Sequence, residues 1–557
     1  MPDTQESDAN TSGRSGEGRL AAWLIGLAAL SAAIVIISTV GDVLGVSGDS
    51  TQYLSAADNL AAGNGLRALW WSGRSETLTH FPPLYPVFLA QLMRWSGKVP
   101  EAAYFLNALL APVNVLLLAL LAARTTRGLG RDFSLPAAAV AAVCGSVANH
   151  LLLVHAMVWS EPLYICLSLL SLIALLNVLE HPRALGWYAV LVCTAATALL
   201  TRFAGIALIG AIGLAIVLLQ RTSLRQRLGI ATIVGVTSIL PMMLLLTNGA
   251  SGGGATANRE IVVHLIQRRD IAYGLTTILS WAAPLIPHPR VYAVLIGLYV
   301  IALALLFAAR SPRGHRPLAT ATDITVSGAP LRLTTALAIV VVTYLAFLVV
   351  SISVADRSTM LDKRILTPAL VVTLVCAVSL GMRQFALSRT FPATHRIFTR
   401  SALAMVLMVY LVAQSFGLAG WFTRVRANGI GFAQIERYSP ALVERIRLLP
   451  PSAVLYSNSP YVVHFLTGRT VVGLPFRRSP TSLKTNATLP DDLRAMRKVA
   501  NESDVYLIDV GQRQSYLVAD STIVQYVHMD SSQVLPGGRI QFLQGSLNPA
   551  LSLPPEM

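Results

Sequence analysis

Gly48-Asp49-Ser50-Thr51-Gln52-Tyr53 decides how this chain is read. The hexapeptide stands a few residues beyond an apolar run, roughly 20–40, that is long enough to cross a bilayer. It opens a polar stretch that continues through Ala57-Asp58-Asn59-Leu60-Ala61-Ala62-Gly63-Asn64-Gly65 to Thr79-His80-Phe81-Pro82-Pro83-Leu84-Tyr85-Pro86. Tyr53, Trp70, Trp71 and Tyr85 enrich this stretch in amphipathic aromatics, which favour the headgroup level of a membrane. A carboxylate held there is placed to accept a proton from an incoming hydroxyl or amine. Spacing also admits a plainer reading. Asp49 followed by Gln52 has the form of a capping box, and a helix so begun would run to the Gly63-Asn64-Gly65 stop.

Outward from that loop the chain is mostly membrane. Of its 557 residues, 54% are hydrophobic and only 13% are charged; the mean hydropathy is +0.60. Further apolar runs fall roughly at 103–123, 134–151, 160–179, 186–201, 203–220, 229–247, 291–309, 333–352, 365–382 and 401–420. The expected class is therefore a polytopic α-helical membrane protein with about eleven transmembrane helices. A β-barrel is excluded, because the runs do not alternate. The net charge of +16 does not point to nucleic acid, since much of it sits in short loops between spans. Arg124, Arg127 and Arg131 form one such loop, Arg221, Arg225 and Arg227 a second, Arg310, Arg313 and Arg316 a third, and Arg383, Arg389, Arg396 and Arg400 a fourth. Less basic loops alternate with them, as the positive-inside rule requires. That alternation predicts a cytoplasmic amino terminus, and an odd number of spans then puts the carboxyl terminus outside; the membrane is taken to be the plasma (inner) membrane.

The same reading divides the chain. Residues 1–19 are rich in Ser, Gly and acids and are expected to be a disordered cytoplasmic segment. Residues 20–420 form the transmembrane module, with external loops at 41–101 and 248–289. Residues 421–557 are expected to be an extracytoplasmic α/β domain. Strands at 453–456 and 505–509 alternate there with helices at 439–449 and 490–500. Cys144, Cys166, Cys193 and Cys376 all fall in apolar runs, which argues against a disulfide framework or a thiolate metal site.

Three further charged positions and a set of histidines carry potential chemistry. Glu161, in Trp159-Ser160-Glu161-Pro162, stands at the external end of a span; ionisable residues at such depth are functional candidates, although Ser160 or Glu161 could simply cap the helix. Arg202, in Leu200-Thr201-Arg202, interrupts two apolar runs, and Arg364 opens another. Either guanidinium could bind phosphate bidentately, or anchor to headgroups. His80, His150, His155, His264 and His288 fall on the external side, so a divalent cation held with Asp49 or Glu161 is a candidate cofactor, but no HxxH or HExxH spacing supports it. No Walker A loop, dinucleotide fingerprint or GxSxG elbow is present.

Taken together, these motifs resemble the GT-C glycosyltransferases, in particular the branch with the protein O-mannosyltransferases and the lipid A aminoarabinose transferases. The likeness lies in Asp49–Tyr53 with Phe81-Pro82-Pro83-Leu84-Tyr85-Pro86, in Ser160-Glu161-Pro162-Leu163, in Leu200-Thr201-Arg202, and in Arg364 with Pro368. Two departures stand out. Many relatives have an Asp-Glu pair where Asp49 is followed by Ser50, and an aromatic where Arg364 is followed by Ile365. The resemblance implies inverting transfer of a sugar from a polyprenyl-phosphate donor to a hydroxyl or amine of a glycan, lipid or protein acceptor on the external face. Asp49 would be the general base, Arg202 and Arg364 would hold the donor phosphate, and Tyr53, His80 and Glu161 would shape the site. The 248–289 loop would close over the donor. Three alternatives stand beside it: a transporter or flippase for lipid-linked sugars, an oligosaccharide ligase or polymerase using diphosphate-linked donors, and a non-catalytic protein whose tail binds a partner. Charges at span ends rather than at mid-bilayer favour transfer over transport.

Overall fold

In a computed structural model of the chain, residues 4–41, 44–250, 265–284, 328–354 and 359–544 are described, with scattered positions between them. Among these, seven helices are long and apolar enough to cross a membrane: Gly18–Val40, Val99–Leu129, Glu161–Glu180, Leu224–Thr247, Leu331–Val354, Lys363–Thr390 and Ala393–Asn428. An eighth passage is a broken pair, Arg131–Val147 and Asn149–His155, bent by 62°. Leu185–Thr201 and Gly205–Leu219 are shorter apolar helices. The run expected at 291–309 lies largely outside the described residues. Helix α1 spans Thr4–Val40, so the first span continues back through the polar stretch expected to be disordered.

Small residues let the spans approach closely. Ala28, Ala29 and Ala32 of α1 meet Ala111 and Ala119, and Ala138 and Ala142 close the same cluster. The bend at Ala148 leaves backbone polar groups that cannot be abandoned in an apolar interior. Gln414 compensates, its Oε1 accepting from the Asn149 backbone N–H at 3.1 Å while its own carbonyl accepts from Asn149 Nδ2 at 2.8 Å.

The segment between the first two spans is a folded shelf. It contains α2 (Gly48–Ala61), a small antiparallel hairpin of β1 (Arg67–Leu69) and β2 (Ser75–Thr77), and α3 (Leu84–Ser96). Tyr53 and Ala57 of α2 and Tyr85 and Leu89 of α3 pack in one cluster with Val99, Ala103 and Leu106 of α4 (Val99–Thr126) and with Leu163 and Cys166. This burial fixes α2 against the Glu161–Glu180 helix, so the first turns of both helices meet.

The carboxyl-terminal region is a five-stranded mixed sheet in the order β4-β3-β5-β7-β6. Strands β3 (Val454–Ser457), β4 (Val471–Gly473) and β5 (Val505–Val510) run parallel, joined through helices Pro460–Thr467 and Leu489–Glu502. Strands β6 (His528–Leu535) and β7 (Gly538–Gln544) add antiparallel to β5. The region docks on the shelf. Trp71 stacks on Phe476 with ring centroids 4.9 Å apart and donates from Nε1 to the Leu474 carbonyl at 2.9 Å. Gly473 is needed beneath it, because a Cβ there would run into the indole. All four cysteines are free thiols.

Candidate active site at the helix ends

Four charged side chains converge where the shelf, the bundle and the carboxyl-terminal region meet. Asp49 lies in the first turn of α2 and Glu161 in the first turn of its helix. Arg202 is the residue that terminates Leu185–Thr201, and Arg364 lies in the first turn of Lys363–Leu387. Arg364 donates from Nη1 to Asp49 Oδ2 at 2.5 Å and from Nε to Glu161 Oε1. Arg202 donates from Nη1 to the same Glu161 oxygen at 2.5 Å and to Ser160 Oγ at 3.1 Å. The Arg364 guanidinium also lies over the Trp159 ring, 4.7 Å from its centroid. Trp159, in the turn before the Glu161–Glu180 helix, thus supplies an aromatic partner that Ile365 does not.

The two carboxylates differ in access. The Glu161 side chain is fully buried, and its Oε2 has no hydrogen-bond partner. The Asp49 side chain is 35% exposed. Burial disfavours charge on Asp49, but the charge and hydrogen bond of Arg364, helped by His80 and Arg202, outweigh it and hold the carboxyl below its ordinary value. Asp49 is therefore an ionised, reachable acceptor of protons, whereas Glu161 is an internal counter-ion shared by two arginines.

The capping interpretations of both carboxylates are corrected by this geometry. Ser47, not Asp49, is the N-cap of α2, and its backbone N–H donates to Ser50 Oγ at 2.9 Å in a capping box. Asp49 is left for Arg364. Ser160 occupies the N-cap position before Glu161 but makes no side-chain cap bond. Its hydroxyl instead meets Arg202 and, at 3.2 Å, the Tyr53 hydroxyl. Tyr53 is buried between Phe81 and Tyr85, with ring centroids at 4.7 and 5.0 Å, and burial pushes its phenol above the ordinary value. His80 packs edge-on against Phe81 at 4.7 Å, close enough to Asp49 for its charge to favour the carboxylate.

The histidines do not assemble the divalent-cation site among the described residues. Among the described residues no three His, Cys, Asp or Glu side chains form a metal-binding group. His155 is a structural residue: Asn114 Nδ2 lies 3.0 Å from its Nε2, and its Nδ1 lies 2.7 Å from the Leu151 carbonyl. His150 Nε2 lies 3.1 Å from Ser280 Oγ. His264 and His288 lie outside the described residues.

Several residues that position the site were missed from sequence. Asn107 Nδ2 donates to the carbonyls of His155 and Met157 at 3.1 and 2.7 Å, and Asn114 Nδ2 reaches the Pro162 carbonyl at 3.0 Å. Both brace the turn that presents Ser160 and Glu161. Their signal was available, since two asparagines seven residues apart share one face of an otherwise apolar helix. Tyr344 donates to the Ile365 carbonyl at 2.9 Å and so fixes the backbone next to Arg364. Tyr461, from the carboxyl-terminal region, accepts from Gln52 Nε2 at 3.1 Å, on the helix that carries Asp49.

Comparison with solved structures places this arrangement in a known fold. The chain is similar to ArnT from Cupriavidus metallidurans in the apo state, with a TM-score of 0.55 at 14% identity, over 94% of this chain and 98% of that one. It is similar to the same protein bound to undecaprenyl phosphate, with a TM-score of 0.54 at 15% identity, over 96% and 99%. It also matches the archaeal oligosaccharyltransferase AglB from Archaeoglobus fulgidus, in complex with an inhibitory peptide and a dolichol-phosphate. There the TM-score is 0.53 at 11% identity, over 96% of this chain and 75% of that one. At these identities the likeness is one of fold: the chain shares the fold of these two proteins. The likeness runs through the helical bundle and the carboxyl-terminal region together, as the coverage requires. No family model and no curated protein sequence matches the chain.

Proposed function

We propose that the chain is an inverting glycosyltransferase that moves a sugar from a polyprenyl-phosphate donor to an acceptor hydroxyl or amine at the external face of the plasma (inner) membrane. The observation that carries this reading is the convergence of Asp49, Glu161, Arg202 and Arg364 at one end of the spans. Outside the cytoplasm nucleotide sugars are not at hand, so a lipid carrier must bring the activated sugar. Polyprenyl phosphate is a leaving group that needs charge stabilisation more than protonation. Guanidinium groups match phosphate oxygens in a planar, bidentate fashion. The transition state at the anomeric carbon is oxocarbenium-like.

In this mechanism the acceptor O–H or N–H gives its proton to Asp49. The acceptor atom bonds to the anomeric carbon from the face opposite the phosphate. The carbon–oxygen bond to phosphate breaks, and its electron pair leaves on polyprenyl phosphate, held by Arg364 and Arg202. Asp49 is assigned the base because it is the carboxylate an acceptor can reach; Glu161 is shut away. Tyr53 and His80 line the acceptor side of Asp49. The helix Arg268–Leu279, within the segment 248–289, covers the donor and excludes water; residues 251–262 and 285–289 lie outside the described residues. Its Gly274 lies against Leu361, three residues from Arg364.

The two solved neighbours give the donor class some support: ArnT is seen with undecaprenyl phosphate, and AglB with a dolichol-phosphate. The test is transfer by the purified protein in liposomes, using a panel of radiolabelled polyprenyl-phosphate sugars. Label leaving the lipid fraction with at least one donor supports the reading. Failure of a well-folded protein to turn over any donor, with movement of labelled lipid across the bilayer instead, would replace it with the flippase reading.

A further inference from the structure

The four charges of the site cancel in pairs, and one guanidinium serves both carboxylates. Arg364 reaches Glu161 through Nε and Asp49 through Nη1. The two contacts are not equivalent. Glu161 is fully buried and Arg202 shares the same oxygen with Arg364, so the bond to Arg364 is part of the framework. Asp49 sits 35% exposed, so the Nη1 edge of Arg364 is the one bounded by the more open of its two carboxylates. An incoming phosphate that uses Arg364 bidentately must take that edge. Asp49 and the phosphate then compete for the same donor, because a guanidinium has a fixed fork of N–H groups and Glu161 already occupies one arm.

We infer that Arg364 is an exchangeable counter-ion: the donor phosphate displaces Asp49 from it, so that the base is released only when the sugar donor is in place. This rests on the transferase reading above and adds an order of events to it. Before the donor arrives, Asp49 is paired and its proton affinity is suppressed. Once the phosphate occupies Arg364, the carboxylate is left beside the acceptor with its strongest counter-ion engaged elsewhere. The groups still facing it are His80 from the shelf and Arg202 from the end of its helix, both of which influence it more weakly than Arg364 does. After transfer, polyprenyl phosphate carries an additional ionisable oxygen and holds Arg364 more firmly than the donor did. Once Asp49 has passed to solvent the proton it took from the acceptor, its carboxylate re-pairs with Arg364 and helps the product leave.

The competition makes a counterintuitive demand on binding. Neutralising the catalytic carboxylate must improve affinity for the phosphate while abolishing turnover. The test is equilibrium binding of undecaprenyl phosphate to the purified full chain in nanodiscs, read by intrinsic tryptophan fluorescence, for wild type, Asp49→Asn, Asp49→Ser and Arg364→Gln. Thermal midpoints check that each variant is folded, and the two Asp49 substitutions guard against one failing to fold. The expected result is roughly tenfold tighter binding in both Asp49 variants, the effect of about one lost competing ion pair, and at least tenfold weaker binding in Arg364→Gln. Affinity within twofold of wild type in the Asp49 variants overturns the competition, since the phosphate then does not share Arg364 with Asp49. Weaker binding overturns it too, because Asp49 would then be holding Arg364 in position. Either of those outcomes leaves the transferase reading intact. Absence of binding to folded wild type would instead remove the polyprenyl-phosphate donor and the competition together.

Discussion

Replacing Arg202 by Met should cost donor turnover heavily, and the structure sets the scale. The side chain is 17% exposed, and its Nη1 serves Glu161 Oε1 at 2.5 Å and Ser160 Oγ at 3.1 Å. A hydrogen bond to a charged group contributes about 1.5–3 kcal/mol and a neutral one about 1 kcal/mol. Stripping a buried carboxylate of its partner altogether costs about 3–5 kcal/mol. Glu161 would keep Arg364 on the same oxygen, so the loss falls below the sum, at about 2–4 kcal/mol, or roughly 30- to 1,000-fold. In the assay, kcat/KM for the lipid-linked donor is measured in liposomes, beside the thermal midpoint of the detergent-solubilised protein. Arg202→Lys, which retains a charge but only a point donor, should fall between wild type and Met. A kcat/KM for Arg202→Met within threefold of wild type would refute the reasoning and reduce Arg202 to a headgroup anchor.

Other consequences follow from the same contacts. Because Arg364 holds the Asp49 carboxyl below its ordinary value, the stability Asp49 lends is present above the usual carboxylate range and fades as pH falls through its folded value; the acid limb of kcat/KM should follow it. Arg364→Gln leaves burial as the largest influence on Asp49, so in any residual activity that limb should move to higher pH; an unmoved limb would show that another group controls it. Tyr53→Phe removes the hydroxyl that meets Ser160 and should lower kcat/KM about fivefold, a loss of about 1 kcal/mol, with melting little changed. Trp71→Ala removes a half-buried indole and its bond to Leu474, at a cost of about 2–3 kcal/mol to docking of the carboxyl-terminal region. Faster hydrogen exchange across residues 474–486, with the sheet itself still protected, is the expected signature.

The chain displayed its architecture because a bilayer imposes coarse rules. Spans must be long and apolar, and basic loops must alternate with less basic ones, so eleven apolar runs could be placed by inspection without any knowledge of how they pack, ten of them on described helices. The convergence of Asp49, Glu161, Arg202 and Arg364 was only partly legible. Each stands at a helix end, where a charge in an apolar context attracts notice, but their mutual distances depend on packing that periodicity does not encode. Ser47 capping α2 in place of Asp49 was equally out of reach, since either residue fits the cap chemistry and only the three-dimensional pairing with Arg364 separates them. Asn107 and Asn114 were overlooked because two amides barely perturb the hydropathy of a span, although the carbonyls they satisfy hold Glu161 in place. The contacts of Trp71 and Tyr461 join residues some four hundred positions apart, which local pattern cannot anticipate.

The central claim is that Asp49 accepts the acceptor's proton in a polyprenyl-phosphate-dependent transfer. Its most direct test is single-turnover sugar transfer by Asp49→Asn beside wild type, at saturating donor and with equal folded protein in liposomes. A loss of about two to four orders of magnitude in the rate of transfer, with donor still bound, is the predicted result. Transfer by Asp49→Asn at the wild-type rate would contradict the account and return Asp49 to the role of a partner that merely orients Arg364.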